Sequence, residues 1–93
     1  MHEGTDADYS NVAGRIHYGI RSGWSPSAIA EDVKWQFERK DFKENKLREL
    51  LIERIKEHEF GPRAHEIKNL SPRLTAPIDE VFKRLPGRSQ GRF

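Results

Sequence analysis

Arg21-Ser22-Gly23-Trp24-Ser25-Pro26 reads as one helix ending and another beginning with almost no linker. Gly23 can take the left-handed conformation that closes a helix. Ser25 can cap the next helix, and Pro26 suits its first turn, where no amide donor is needed. The stretch therefore sets two helices side by side as an antiparallel pair and leaves Trp24, a large amphipathic ring, at the joint.

Working outward, the periodicity predicts a first helix over residues 9–22. On a wheel of about 100° per residue, Tyr9, Val12, Ala13, Ile16, Gly19 and Ile20 share one side, while Arg15, Tyr18 and Arg21 lie away from it. A glycine inside a helix costs about 1 kcal/mol relative to alanine, so Gly19 reads as a point of close approach by another backbone. On the other side of the corner a second helix runs from Pro26 to about Arg39. Its buried stripe is Ile29, Ala30, Val33 and Phe37; Trp35 points away from that stripe, beside Ala28.

Asp41-Phe42-Lys43-Glu44 has the form of a capping box, a carboxylate cap with a glutamate three residues on, and predicts a third helix over residues 42–59. The alternative is one kinked helix over 26–59, because no glycine or proline interrupts that interval. Leu47, Leu50, Leu51 and Ile55 form the third helix's main stripe. Ile52 lies well off it, so this helix is expected to touch two surfaces. Glu49, Glu53 and Glu57 repeat one charge down a row, which reads as a solvated face. From residue 61 to 76 the periodicity is lost, with Pro62, Pro72 and Pro77 limiting any helix to a turn or two; Ile67, Leu70 and Leu74 are the candidates to pin the segment. A last helix is expected over 77–85, where Ile78, Val81, Phe82 and Leu85 recur at helical spacing. The expected fold is all-α: a small bundle of three longer helices plus a short C-terminal helix. Residues 9–85 form the single domain, between a flexible acidic N-terminus (1–8) and a flexible basic tail (86–93).

Composition bounds what such a bundle can do. Of 93 residues, 34% are hydrophobic and an equal 34% charged, enough for one thin apolar layer, so a marginal monomer or an oligomer is expected. The chain has no cysteine, which removes disulfides and thiolate metal sites. No apolar run approaches the ~18 residues of a membrane span, and residues 1–10 do not resemble a secretory signal, so a cytoplasmic location is expected.

Catalytic constellations are missing. His58-Glu59 and His65-Glu66 carry the letters of the zinc-protease motif, but the histidines stand seven positions apart with Gly61-Pro62 between them, and that motif needs both imidazoles one helical turn apart. With His2 and His17 adding no ligand pattern, the four histidines read as surface or helix-end residues. There is no nucleophile elbow and no phosphate-binding glycine loop, and the carboxylates sit at spacings explained by solvation and ion pairing. The chain is read as non-enzymatic, with no cofactor and no metal.

The residues Ile20-Arg21-Ser22-Gly23-Trp24-Ser25-Pro26-Ser27-Ala28-Ile29-Ala30-Glu31-Asp32-Val33 resemble the opening of helix-turn-helix domains, in which a glycine turn precedes a helix containing Ile-Ala. That resemblance implies DNA binding. In that family a recognition helix follows a second short turn after the position of Val33; here Lys34-Trp35-Gln36-Phe37-Glu38-Arg39 continues the helix. If the third helix were the reader, Lys43, Lys46 and Arg48 would reach phosphates or bases, opposed by Glu44, Glu49 and Glu53.

The leading reading uses what the core periodicity leaves over. Tyr18, Trp35 and Ile52 lie off the stripes of their helices and Trp24 lies at a joint, and aromatic residues are enriched where partners bury one another's surfaces. The expectation is a small regulatory or adaptor module that binds another protein, or itself as a homodimer, through Tyr18, Trp24, Trp35 and Ile52. In general style the chain also resembles the small regulatory proteins of bacteriophages of high-GC hosts, which implies a host protein as target.

Overall fold

Gly23 adopts φ +80°, and the corner closes through two reversed hydrogen bonds, Gly23 N–H to the Ile20 carbonyl (3.2 Å) and Trp24 N–H to the Gly19 carbonyl (3.0 Å). This is the Schellman pattern, and it ends α1, Asp6–Arg21. Ser25 Oγ accepts the Ala28 N–H at 3.1 Å, and with Pro26 in the first turn it opens α2, Pro26–Arg39. The computed structural model describes residues 2–85. Two further helices complete it: α3, Glu44–Phe60, which ends at Gly61 (φ +57°), and α4, Pro72–Lys83. A short 3-10 helix, Gly61–Glu66, lies between them. The fold is a small all-α bundle in which α1 packs on α2 and α3, and α4 packs on α2.

The core is one layer. Tyr9, Val12, Ala13 and Ile16 of α1 meet Ile29, Ala30 and Val33 of α2, Leu47, Leu51 and Ile55 of α3, and Ile78, Val81 and Phe82 of α4. Phe37, assigned to the stripe of α2, is only half-buried, and Gln36 beside it is buried instead. Gly19 is the point of close approach, and what approaches is a side chain: a Cβ there would stand 2.6 Å from Ile29 Cγ1 and 3.1 Å from Trp24 Cε3.

Residues 2–8 depart from the expected flexible acidic N-terminus. Thr5 caps α1 in a reciprocal box, its Oγ1 accepting the Asp8 N–H (3.2 Å) while Asp8 Oδ2 accepts the Thr5 N–H (2.8 Å), so the helix begins three residues before Tyr9. Upstream of the cap, Gly4 N–H donates to the Asp41 carbonyl and Asp41 N–H to the His2 carbonyl, each at 2.9 Å, in an isolated parallel bridge between Glu3 and Asp41. The acids of this segment face the lysines at the α2–α3 break: Asp8 with Lys40 (2.7 Å), Asp6 with Lys46 (3.1 Å), Glu3 with Lys43 (3.9 Å).

That bridge also corrects the start of the third helix. With its backbone committed to residues 2 and 4, Asp41 is held outside the helix; the N-cap is Lys43, without a side-chain capping bond. Lys40 turns to φ −145°, ψ 158°, so α2 and α3 are two helices and not one kinked helix. Phe42 fills the break, packed edge-on to Tyr9 with ring centroids 5.0 Å apart and against Phe37 at 4.9 Å.

The last helix begins five residues earlier than expected. Ser71 leads into Pro72, the Leu74 and Thr75 amides both donate to the Ser71 carbonyl (2.9 and 3.1 Å), and Pro77 lies inside α4. A proline there removes one helical bond, the one that would have reached the carbonyl of the exposed Arg73. The apolar run of Ile78, Val81 and Phe82 holds the helix in place despite that loss. The expected basic tail, residues 86–93, lies outside the described residues.

Candidate protein-contact surface

The α1–α2 pair is registered about its corner: Arg15 stands eight residues before Gly23 and Asp32 eight after Trp24. The two meet in a bidentate ion pair, Arg15 Nε to Asp32 Oδ2 at 2.8 Å and Nη2 to Oδ1 at 2.7 Å. The carboxylate holds the guanidinium above its ordinary pKa. Tyr18 lies one turn from Arg15 toward the corner, and Trp35 one turn from Asp32 away from it. At 1.5 Å of rise per residue, the two aromatics flank the ion pair with about 9 Å between their levels along the seam.

Three of the four residues singled out for protein contact are exposed on the α1–α2 pair. Trp35 is 53% exposed, Tyr18 49% and Trp24 37%. Tyr18 and Trp24 form an edge-to-face pair with centroids 5.6 Å apart, and the Arg21 guanidinium lies 5.7 Å from the Tyr18 centroid. Trp24 occupies the position whose apolar contact with the preceding turn accompanies a Schellman closure, which explains how its ring is held. Trp35 packs against no aromatic neighbour among the described residues; its position follows from helical spacing alone.

Ile52 does not join them. It is half-buried against the core on α3, and it lines a groove with Tyr9, Leu50, Lys46 and Lys56 on the side of α3 that carries the loop after the 3-10 helix. Lys56 closes that side. Its stem is buried and its Nζ donates to the Lys68 carbonyl at 3.3 Å, so the second surface expected for α3 is partly this loop.

The bases proposed for DNA contact are turned to acids of their own chain. Lys46 Nζ bonds to Asp6 and lies 4.5 Å above the Tyr9 ring. Arg48 is paired with Asp79 and lies 5.7 Å from the Phe82 centroid, and Lys43 approaches Glu3.

Two features escaped the sequence reading. His17 was expected at the surface or a helix end; it is buried, with its ring edge-on to His58 of α3 at a centroid distance of 5.3 Å. Burial first, then the nearby Arg21, His58 and Arg54, push its pKa below the ordinary histidine value. The Arg15–Asp32 pair is the other. Equal distance from the corner was the signal that would have found it.

No helix among the described residues is long and apolar enough to cross a membrane. No protein-family model, curated protein or solved structure matches the chain.

Proposed function

We propose that this chain is a small, non-enzymatic module that binds another protein, or a second copy of itself, through the α1–α2 seam. The observation that carries the reading is the exposure of Tyr18, Trp24 and Trp35 on the α1–α2 pair, in a chain whose other large apolar side chains among the described residues, Phe60 apart, are buried or half-buried. Aromatic rings supply large contact area at low entropic cost, and those near the centre of a patch dominate binding energy. An exposed ion pair such as Arg15–Asp32 adds little to folding, so its value lies in fixing the register of a polar centre between aromatic ends. Ile52 lies outside this surface.

The experiment is nuclease-treated affinity capture with a measured complex mass, comparing the native chain with Tyr18→Ala and Trp35→Ala. The module reading expects a defined protein complex or a homodimer that both substitutions weaken while helicity persists. A complex unchanged by either substitution would sink it. DNA binding through the corner and α3 is the second reading. It requires Lys43, Lys46 and Arg48 to exchange their own acids for phosphates, and it predicts duplex affinity that falls steeply with salt and weakens in Lys43→Ala and Lys46→Ala. No shift of a duplex at low salt removes it.

A further inference from the structure

Arg54 is a half-buried cation that no acid among the described residues neutralises. It projects from α3 across α1 and passes Gly14: a Cβ there would lie in ordinary contact, 3.8 Å from the guanidinium carbon. Its Nη2 donates to Ser10 twice, to Oγ at 2.6 Å and to the carbonyl at 3.3 Å. Both partners are neutral. Its Nε is buried with no hydrogen-bond partner. Burying a donor without a partner is costly, and a guanidinium so placed beside an open groove calls for an explanation.

The cavity beside it measures about 420 Å³ and is lined by Ala7, Ser10, Asn11, Gly14, Arg15 and Arg54. Its donors suit an oxyanion. Arg54 Nη1 enters none of the bonds described, the Ser10 hydroxyl accepts from Arg54 and so keeps its own proton to donate, and Asn11 adds an exposed amide. Arg15 spends Nε and Nη2 on Asp32, so its charge is already balanced. One positive charge therefore remains uncompensated, with Nη1 of Arg54 and the hydroxyl of Ser10 as the donors left for the two oxygens of an acceptor. From this juxtaposition we infer that the Arg54 cavity between α1 and α3 is a binding subsite for a single carboxylate. A monoanion completes the site, whereas a phosphate dianion would leave one negative charge in excess.

The test is a titration of the full-length, ¹⁵N-labelled protein with sodium acetate, sodium phosphate and sodium chloride at matched ionic strength, following the Arg54 Nε–Hε signal and the amides of Ser10, Asn11 and Gly14. Acetate is expected to move these signals along a saturating curve in the millimolar range. Chloride is expected to move them weakly and linearly. Arg54→Gln should abolish the saturable response. Because that substitution also removes a clamp between α1 and α3, Gly14→Gln provides the second arm: it keeps Arg54 and its Ser10 bonds while placing an amide in the cavity, and it should abolish saturation in a folded protein. Saturation that survives in either folded variant overturns the proposal, as does an acetate response no different from chloride. Phosphate saturating at lower concentration than acetate overturns the assignment to a carboxylate. Trp35→Ala should leave the acetate curve unchanged, so loss of the seam reading and loss of this one are separable.

Discussion

Gly19 and Ile29 meet so closely across the α1–α2 pair that a side chain of even one carbon at position 19 would stand 2.6 Å from Ile29 Cγ1. Alanine would recover about 1 kcal/mol of helix propensity there, but overpacking a close contact costs typically 1–3 kcal/mol, and Trp24 blocks relaxation on the other flank. Gly19→Ala is expected to destabilise the protein. Gly14→Ala is its control: the nearest atoms would lie at ordinary contact distances, 3.8–3.9 Å, so the helix should gain about 0.5–1 kcal/mol. Urea denaturation of the two variants should give shifts of opposite sign.

At Gly23 the constraint is conformational. Nothing lies within 4 Å of a Cβ built there, yet φ is +80°, a value that costs an L-residue about 1–2 kcal/mol. Gly23→Ala should lower the melting temperature, with Gly23→Asn losing less because asparagine tolerates the left-handed region. Equal stability of the three proteins would show that the corner opens without penalty.

The seam aromatics should separate binding from folding. Trp35→Ala is expected to change stability by less than about 0.5 kcal/mol, as for other surface substitutions. Tyr18→Ala loses the edge-to-face contact with Trp24, worth about 0.5–1.5 kcal/mol when fully formed and less at this exposure. Complex formation should fall at least tenfold in each, about 1.4 kcal/mol. Calorimetric melting alongside a binding titration checks both halves, and a large loss of stability with normal binding would make the residues structural.

Tyr9 is the residue on which the α1 start and the α3 start converge. Its hydroxyl donates to Glu3 Oε2 at 2.6 Å and accepts the Lys43 N–H at 2.7 Å. Its own ionisation is pushed up, by burial and by the Glu3 carboxylate. Tyr9→Phe keeps the ring on Phe42 but strips the Lys43 amide of its acceptor, at a cost of about 1–3 kcal/mol. Amide exchange at Lys43 should accelerate in this variant more than at Ile16.

Two groups set separate stages of the acid limb. The Lys40 ammonium beside Asp8, together with the Thr5 amide, holds that carboxyl down at about 2, below its ordinary 3.8. A depressed carboxyl contributes stability above its unfolded pKa and loses it as pH falls through the folded value, so the loss spans about 3.8 to 2. His17 is a base with a lowered pKa. The unfolded chain binds its proton first, so stability falls as pH drops below the ordinary 6.5. His17→Gln should flatten the stability profile just below 6.5, and Lys40→Met should move the lower loss to higher pH. Melting temperatures across pH 2–8 resolve the two.

Local punctuation made the corner and the start of α2 legible, because Gly23, Ser25 and Pro26 act on their immediate neighbours. The exposure of Tyr18 and Trp35 followed from the same 3.6-residue period. Asp41 misled because its local capping pattern competes with backbone bonds from residues 2 and 4, which no short-range reading contains. Pro77 misled in the other direction: one lost helical bond was outweighed by the apolar face that follows it. For Ile52, the wheel located an off-stripe position correctly, but whether a loop or a partner meets that side depends on where Lys56 pins the chain.

The pairing of residues 2 and 4 with Asp41 makes a few residues at one end arbiters of a choice made far along the chain. No proline or glycine separates α2 from α3; the interruption is imposed from outside. Without that strap nothing local would keep residues 40–43 out of the helix, and α2 and α3 would be free to run on as a single rod in place of two helices that pack separately on α1. The short segment before α1 thus decides where two distant helices part.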